Sequence, residues 1–149
     1  STLQLYQQNK TEAMKTLCQA SLCADDINED NPFLPNTLRV IAEAQANAGD
    51  LKGAHKTLRT IDREDEKEHV LGVIADAHAR AGKIPEALQL IEGINQRDFK
   101  DFALLEIVKS QGKNQEFLWA LETLRAIERK DCQAIALANV ATEIMNRKK

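Results

Sequence analysis

The strongest constraint on this chain is an internal repeat with a fixed 33-residue step. Leu38, Leu71, Leu104 and Leu137 stand that far apart, and so do Ile41, Ile74, Ile107 and Val140. Ala54, Ala87 and Ala120 keep the step, as do Ile61, Ile94 and Ile127. A period of this length marks a unit too small to bury its own apolar face, so that neighbouring units must stack to make a core. Stacked units present surfaces rather than a catalytic pocket, which points to recognition as the class of function. The four leucines and the isoleucine seam are expected to report packing, and the columns that fail to repeat to carry specificity.

Within each unit the pattern reads as two helices. Leu38, Ile41, Ala42, Ala44 and Ala48 follow helical spacing, and Gly49-Asp50 then breaks it. Glycine suits the left-handed residue that ends a helix, and aspartate accepts from the free N–H groups that open the next. Leu51, Ala54, His55, Leu58 and Ile61 form the second stripe. The following unit copies this through Gly82, with Pro85 in the first turn of its second helix, where the missing N–H costs nothing. Asp65 with Glu68, and Asp98 with Asp101, read as a cap followed by a first-turn acid, and Asp131 reads as the cap of the last helix. The third unit has Gln115 where glycine is expected. Its own glycine is Gly112, which predicts a distorted turn within residues 112–115, Asn114 taking the left-handed conformation.

Both ends carry part-repeats. Ala13-Met14-Lys15-Thr16-Leu17 resembles Ala54-His55-Lys56-Thr57-Leu58, so residues 1–8 read as the end of a preceding first helix. The expected organisation is one domain over 1–149: a partial repeat at 1–23, a linker at 24–35, repeats at 36–68, 69–101 and 102–130, and a capping helix at 131–149. Ser1 opens the chain in place of Met, and a segment of a longer array is the expectation.

Charge narrows the partners. Twenty Lys and Arg against 23 Asp and Glu leave a net charge of −3, without the basic stripe that nucleic acid requires. The terminal Arg147-Lys148-Lys149 reads as a solvated helix end. No apolar run reaches the ~18 residues of a membrane span. Three cysteines, an odd number without scaffold spacing, read as reduced thiols in a cytoplasmic setting; on one helix Cys18 and Cys23 lie on different faces.

Motifs of chemistry are weak. Asp26-Ile27-Asn28-Glu29-Asp30-Asn31 has oxygen ligands at calcium-loop positions, but Asn31 replaces the required glycine and Thr37 the bidentate acid, so it reads as a solvated linker. None of His55, His69 and His78 stands at metal-ligand spacing from a cysteine or another histidine. His55 takes a seam position and is expected as a partly buried, neutral imidazole; Cys132 is expected to be inert. The mixed run Asp62–Glu68 reads as a solvated helix start. No enzyme, cofactor or metal site is expected. Trp119, the single tryptophan, aligns with Gly53 and Glu86 and reads either as a convex-face anchor for a partner or as filler beside the irregular turn.

Taken together, Ala42 and Ala75, the turn glycines Gly49 and Gly82, the small Ala54, Ala87 and Ala120, and the apolar Leu51, Ile84 and Phe117 resemble the tetratricopeptide repeat over residues 38–141, and more faintly over 9–23. The sequence departs from that family in its 33-residue period, its missing closing proline and the isoleucines at Ile61, Ile94 and Ile127. The resemblance implies an all-α, right-handed superhelical solenoid of antiparallel helix pairs, about three and a half hairpins long. It also implies a concave groove lined by first helices. The family's groove positions fall on Asn36, Arg39, Glu43 and Asn47, then His69, Asp76 and Arg80, then Phe102, Leu105, Lys109 and Lys113. Such a groove, mixed at one end and apolar-plus-basic at the other, suits a peptide or helix of a partner protein with an apolar anchor followed by acids. The alternative is an architectural segment that self-associates or packs on other parts of a longer protein.

Overall fold

The computed structural model describes residues 2–146; the basic tail at 147–149 lies outside them. Among the described residues there are eight α-helices and no strand. They are α1 (Thr2–Asp25), α2 (Leu34–Asn47), α3 (Leu51–Leu58), α4 (Glu64–Arg80), α5 (Ile84–Glu92), α6 (Arg97–Lys113), α7 (Phe117–Arg125) and α8 (Lys130–Asn146). Two compact units, Ser1–Val70 and Leu71–Lys149, divide the chain within α4.

Each hairpin turn is built the same way. The N–H of Gly49 donates to the carbonyl of Ala46, and that of Asp50 to Gln45. The pairs Gly82→Ala79 with Lys83→His78, and Gln115→Gly112 with Glu116→Gln111, repeat this pattern. These are the two bonds of a Schellman motif, which satisfies the last carbonyls of a helix and requires a left-handed residue after it. Gly49, Gly82 and Gln115 supply that residue, at φ of 83°, 76° and 65°. The expected distortion at the third turn is therefore absent. Asn114 stays at φ −77°, and the glutamine takes the glycine's conformation because hydrogen bonding sets the backbone there.

In the first unit α1 packs on α2, and α2 on α3. Leu38, Ile41, Ala42, Ala46, Ala54, Leu58 and Ile61 are buried. A buried polar link joins α2 to α3: the Thr57 hydroxyl donates to Gln45 Oε1 at 2.8 Å, and Gln45 Nε2 donates to Ser21 of α1 at 3.1 Å. Asp50 opens α3 as expected, its carboxylate accepting from the Gly53 N–H at 2.9 Å. That also explains Gly53, since a Cβ there would lie 2.2 Å from Asp50 Oδ2. Contrary to the expected end of one helix and start of another, residues 2–25 form one unbroken helix. The segment between α1 and α2 is organised by its own side chains, Asn28 accepting from Asp30 N–H and Asn31 from Phe33 N–H.

In the second unit Ile91, Ile94, Leu104, Leu105, Ile107, Val108, Leu124, Ile127 and Val140 form one core with Ala75, Ala79, Ala87, Ala120 and Ala136. The alanines at 87 and 120 are fully buried, which a larger side chain at a close helix approach would prevent. Three expectations change. Asp65, Asp98 and Asp131 lie inside the first turns of their helices, not at the caps. Asp101 is only 1% exposed, and its carboxylate accepts from the N–H groups of Glu128 and Arg129 at 3.1 and 2.8 Å, closing the turn into α8. A buried carboxylate thus accepts from two backbone N–H groups of the turn that leads into the next first helix. Leu137, read as a seam leucine, is 50% exposed, because among the described residues no second helix covers α8.

Candidate functional site

Residues on the outer side of the first helices come together in two clusters, one in each unit. On α2, Asn36, Arg39 and Glu43 stand one helical turn apart, so their side chains meet. Arg39 donates to Asn36 Oδ1 at 2.8 Å, contacts Glu43, and lies 2.8 Å through Nε from Glu66 of α4. His69 Nε2 lies 3.1 Å from Glu43 Oε1. Four expected residues thus form one network, held by a fifth, Glu66, that sequence reasoning passed over. Its signal was its place three residues before His69 on a helix. Arg39, Glu43 and Glu66 are each mostly shielded from water, so the pairing is stronger than that of exposed ions. Asn47 is exposed two turns beyond Arg39 on α2.

In the second unit Arg80 Nε lies 2.9 Å from Asp76 Oδ2. Burial pushes the Asp76 carboxyl above its ordinary range and Glu106 adds to it, while Arg80 and Lys109 pull the other way. Lys109 is paired with Glu106, a residue the groove reading did not include. Lys113 is exposed at the end of α6. Phe102 is 53% exposed, with the Arg129 guanidinium 5.6 Å from its ring centroid, a cation–π arrangement. Arg129 is itself bonded to Asp131 and Asp98, which hold its guanidinium above the ordinary range, and its hydrogen bond in turn holds the Asp131 carboxyl below its own.

One expected groove residue is not at the surface. Leu105 is 4% exposed and belongs to the core, because α6 packs on both α7 and α8 and is buried on two flanks. The expected apolar-plus-basic end is accordingly reduced to Phe102 and Lys113, with Lys109 shared by Glu106.

Trp119 on α7 is 68% exposed beside the still more exposed Leu118, which removes the filler alternative. Among the described residues no three His, Cys, Asp or Glu side chains could hold a metal ion. No described helix is long and apolar enough to cross a membrane. Burial, reinforced by Arg59, lowers the His55 pKa, in line with a neutral imidazole. The buried Cys132 thiol is pushed up by burial and by Asp131, away from reactivity, while Cys18 and Cys23 are exposed and unbridged. No family model, curated protein or solved structure matches the chain.

Proposed function

We propose that this chain is a non-enzymatic, tetratricopeptide-like protein-interaction module, a superhelical array whose first-helix faces take a peptide or helix of a partner protein. The observation that carries this reading is a division of labour between repeat columns. The columns that repeat, Ala54/Ala87/Ala120 and Ile61/Ile94/Ile127, are buried. A column that changes sign, Glu43/Asp76/Lys109, holds part-exposed, ion-paired groups. Structure is thus kept constant while surface chemistry varies, as a recognition surface requires. Phe102 is the apolar anchor point and Lys113 the cation that donates to a following acid; nucleic acid and membrane are not the ligands.

Affinity capture from native extract tests this. Phe102→Ala and Lys113→Glu should each reduce the captured partner at least several-fold with unchanged helical circular dichroism. Capture undiminished by both substitutions rejects the reading.

A further inference from the structure

Asn139 of α8 has a buried side-chain nitrogen, Nδ2, with no hydrogen-bond partner. Buried donors in native proteins are paired as a rule, so an orphan of this kind calls for an acceptor. The residue lines a cleft of about 240 Å³ where α6 packs on α8. Val108, Lys109, Gly112 and Lys113 supply the α6 wall, and Glu143 stands with Asn139 on the other.

The floor and the charge of this cleft set the third repeat apart. Gly112 stands where the first two repeats have Ala46 and Ala79. A Cβ there would lie 3.4 Å from Glu143 Cγ, so the missing methyl group is part of the recess. One repeat earlier Asp76 and Arg80 pair with each other. The same two columns here hold Lys109 and Lys113, like charges one turn apart on α6. Lys109 is shared with Glu106, which leaves Lys113 and the Asn139 amide as the donors that an incoming group meets. Such donors suit an oxyanion, and Glu143 on the α8 wall favours a carboxylate over a phosphate dianion. The recess reaches the helix backbone at Gly112, a depth that a side chain enters more readily than a main chain. Lys109 and Lys113 lie two and three turns beyond Phe102, on one stripe of α6. From Phe102 to Lys113 is about 16 Å along the helix axis, which an extended peptide covers in about five residues.

We propose that this cleft takes the side-chain carboxylate of an aspartate or glutamate in an extended partner peptide, about five residues from the apolar residue seated on Phe102. The carboxylate accepts from Asn139 Nδ2 and Lys113 Nζ. The proposal rests on the first-helix reading above and gives its ligand a register.

Nitrogen-15 NMR titration of the 149-residue protein with N-acetylglutamate methylamide tests it. The Asn139 side-chain amide and the Gly112 and Lys113 backbone amides should shift and saturate, with half-saturation at about 10 mM. The glutamine counterpart, inorganic phosphate and N-acetylalanine, whose carboxylate is a chain end, should each bind several-fold more weakly. Asn139→Leu should weaken binding of the acid at least tenfold without lowering the melting temperature, because it removes an unpaired buried donor. Lys113→Gln, at an exposed position, replaces that variant if it fails to fold. No saturation by about 100 mM overturns the proposal. So does any of the three controls binding as well as the acid, or undiminished binding by Asn139→Leu. Capture from native extract separates this cleft from the reading it rests on. Capture lowered by Phe102→Ala but not by Asn139→Leu sinks the cleft and leaves the first-helix reading standing.

Discussion

Gln115 carries a side chain through a backbone conformation that Gly49 and Gly82 adopt without one. The left-handed region costs a residue with a Cβ about 1 kcal/mol. Gln115→Gly is therefore expected to raise stability by about 1 kcal/mol, read from the urea midpoint. Gly82→Ala should lower it by a similar amount. A Cβ at Gly82 would meet nothing within 4 Å, so the loss is purely one of backbone conformation. His55 gives a pH prediction. Its folded pKa lies below 6.5, so the unfolded chain binds more protons between the two values. Stability is full above about pH 6.5 and falls as pH drops through that value toward the folded pKa. His55→Leu, the residue at Leu88 and Leu121, should flatten that part of the melting-temperature profile; an unchanged slope would assign it to another group.

Among the elements, the start of α8 depends on a side chain of the preceding first helix. Asp101→Ala leaves the Glu128 and Arg129 N–H groups without their acceptor. The expected cost is about 2–3 kcal/mol, with hydrogen exchange accelerated first at those two amides. Equal exchange across α8 would show that the carboxylate is not what holds the turn. Ile127→Ala removes one of the largest fully buried side chains and should cost about 2–5 kcal/mol. The helices from α2 onward and the first two turns were legible because helical spacing, Gly49, Gly82 and Pro85 are local signals. Asp101 was misread as a first-turn acid because its partners lie 27 and 28 residues away, where no sequence period points to them.

For the whole molecule, the charged part of the first-helix face makes partner capture depend on salt. Raising NaCl from about 0.05 to about 0.5 M screens exposed charge and should weaken partner capture that depends on Lys113. By itself the sequence determined the helices from α2 onward, the two glycine turns and the buried columns Ala54/Ala87/Ala120 and Ile61/Ile94/Ile127, since a 33-residue period puts equivalent residues at equivalent helical positions. The groove positions it indicated include Arg39, Glu43 and His69, which meet in the first unit. Tertiary structure decided which of those groups are already engaged. Glu66 and Glu106 neutralise the face from within, Leu105 lies in the core, and Leu137 lies outside it. A period records what each position repeats, but exposure depends on which neighbouring helix is there to cover it.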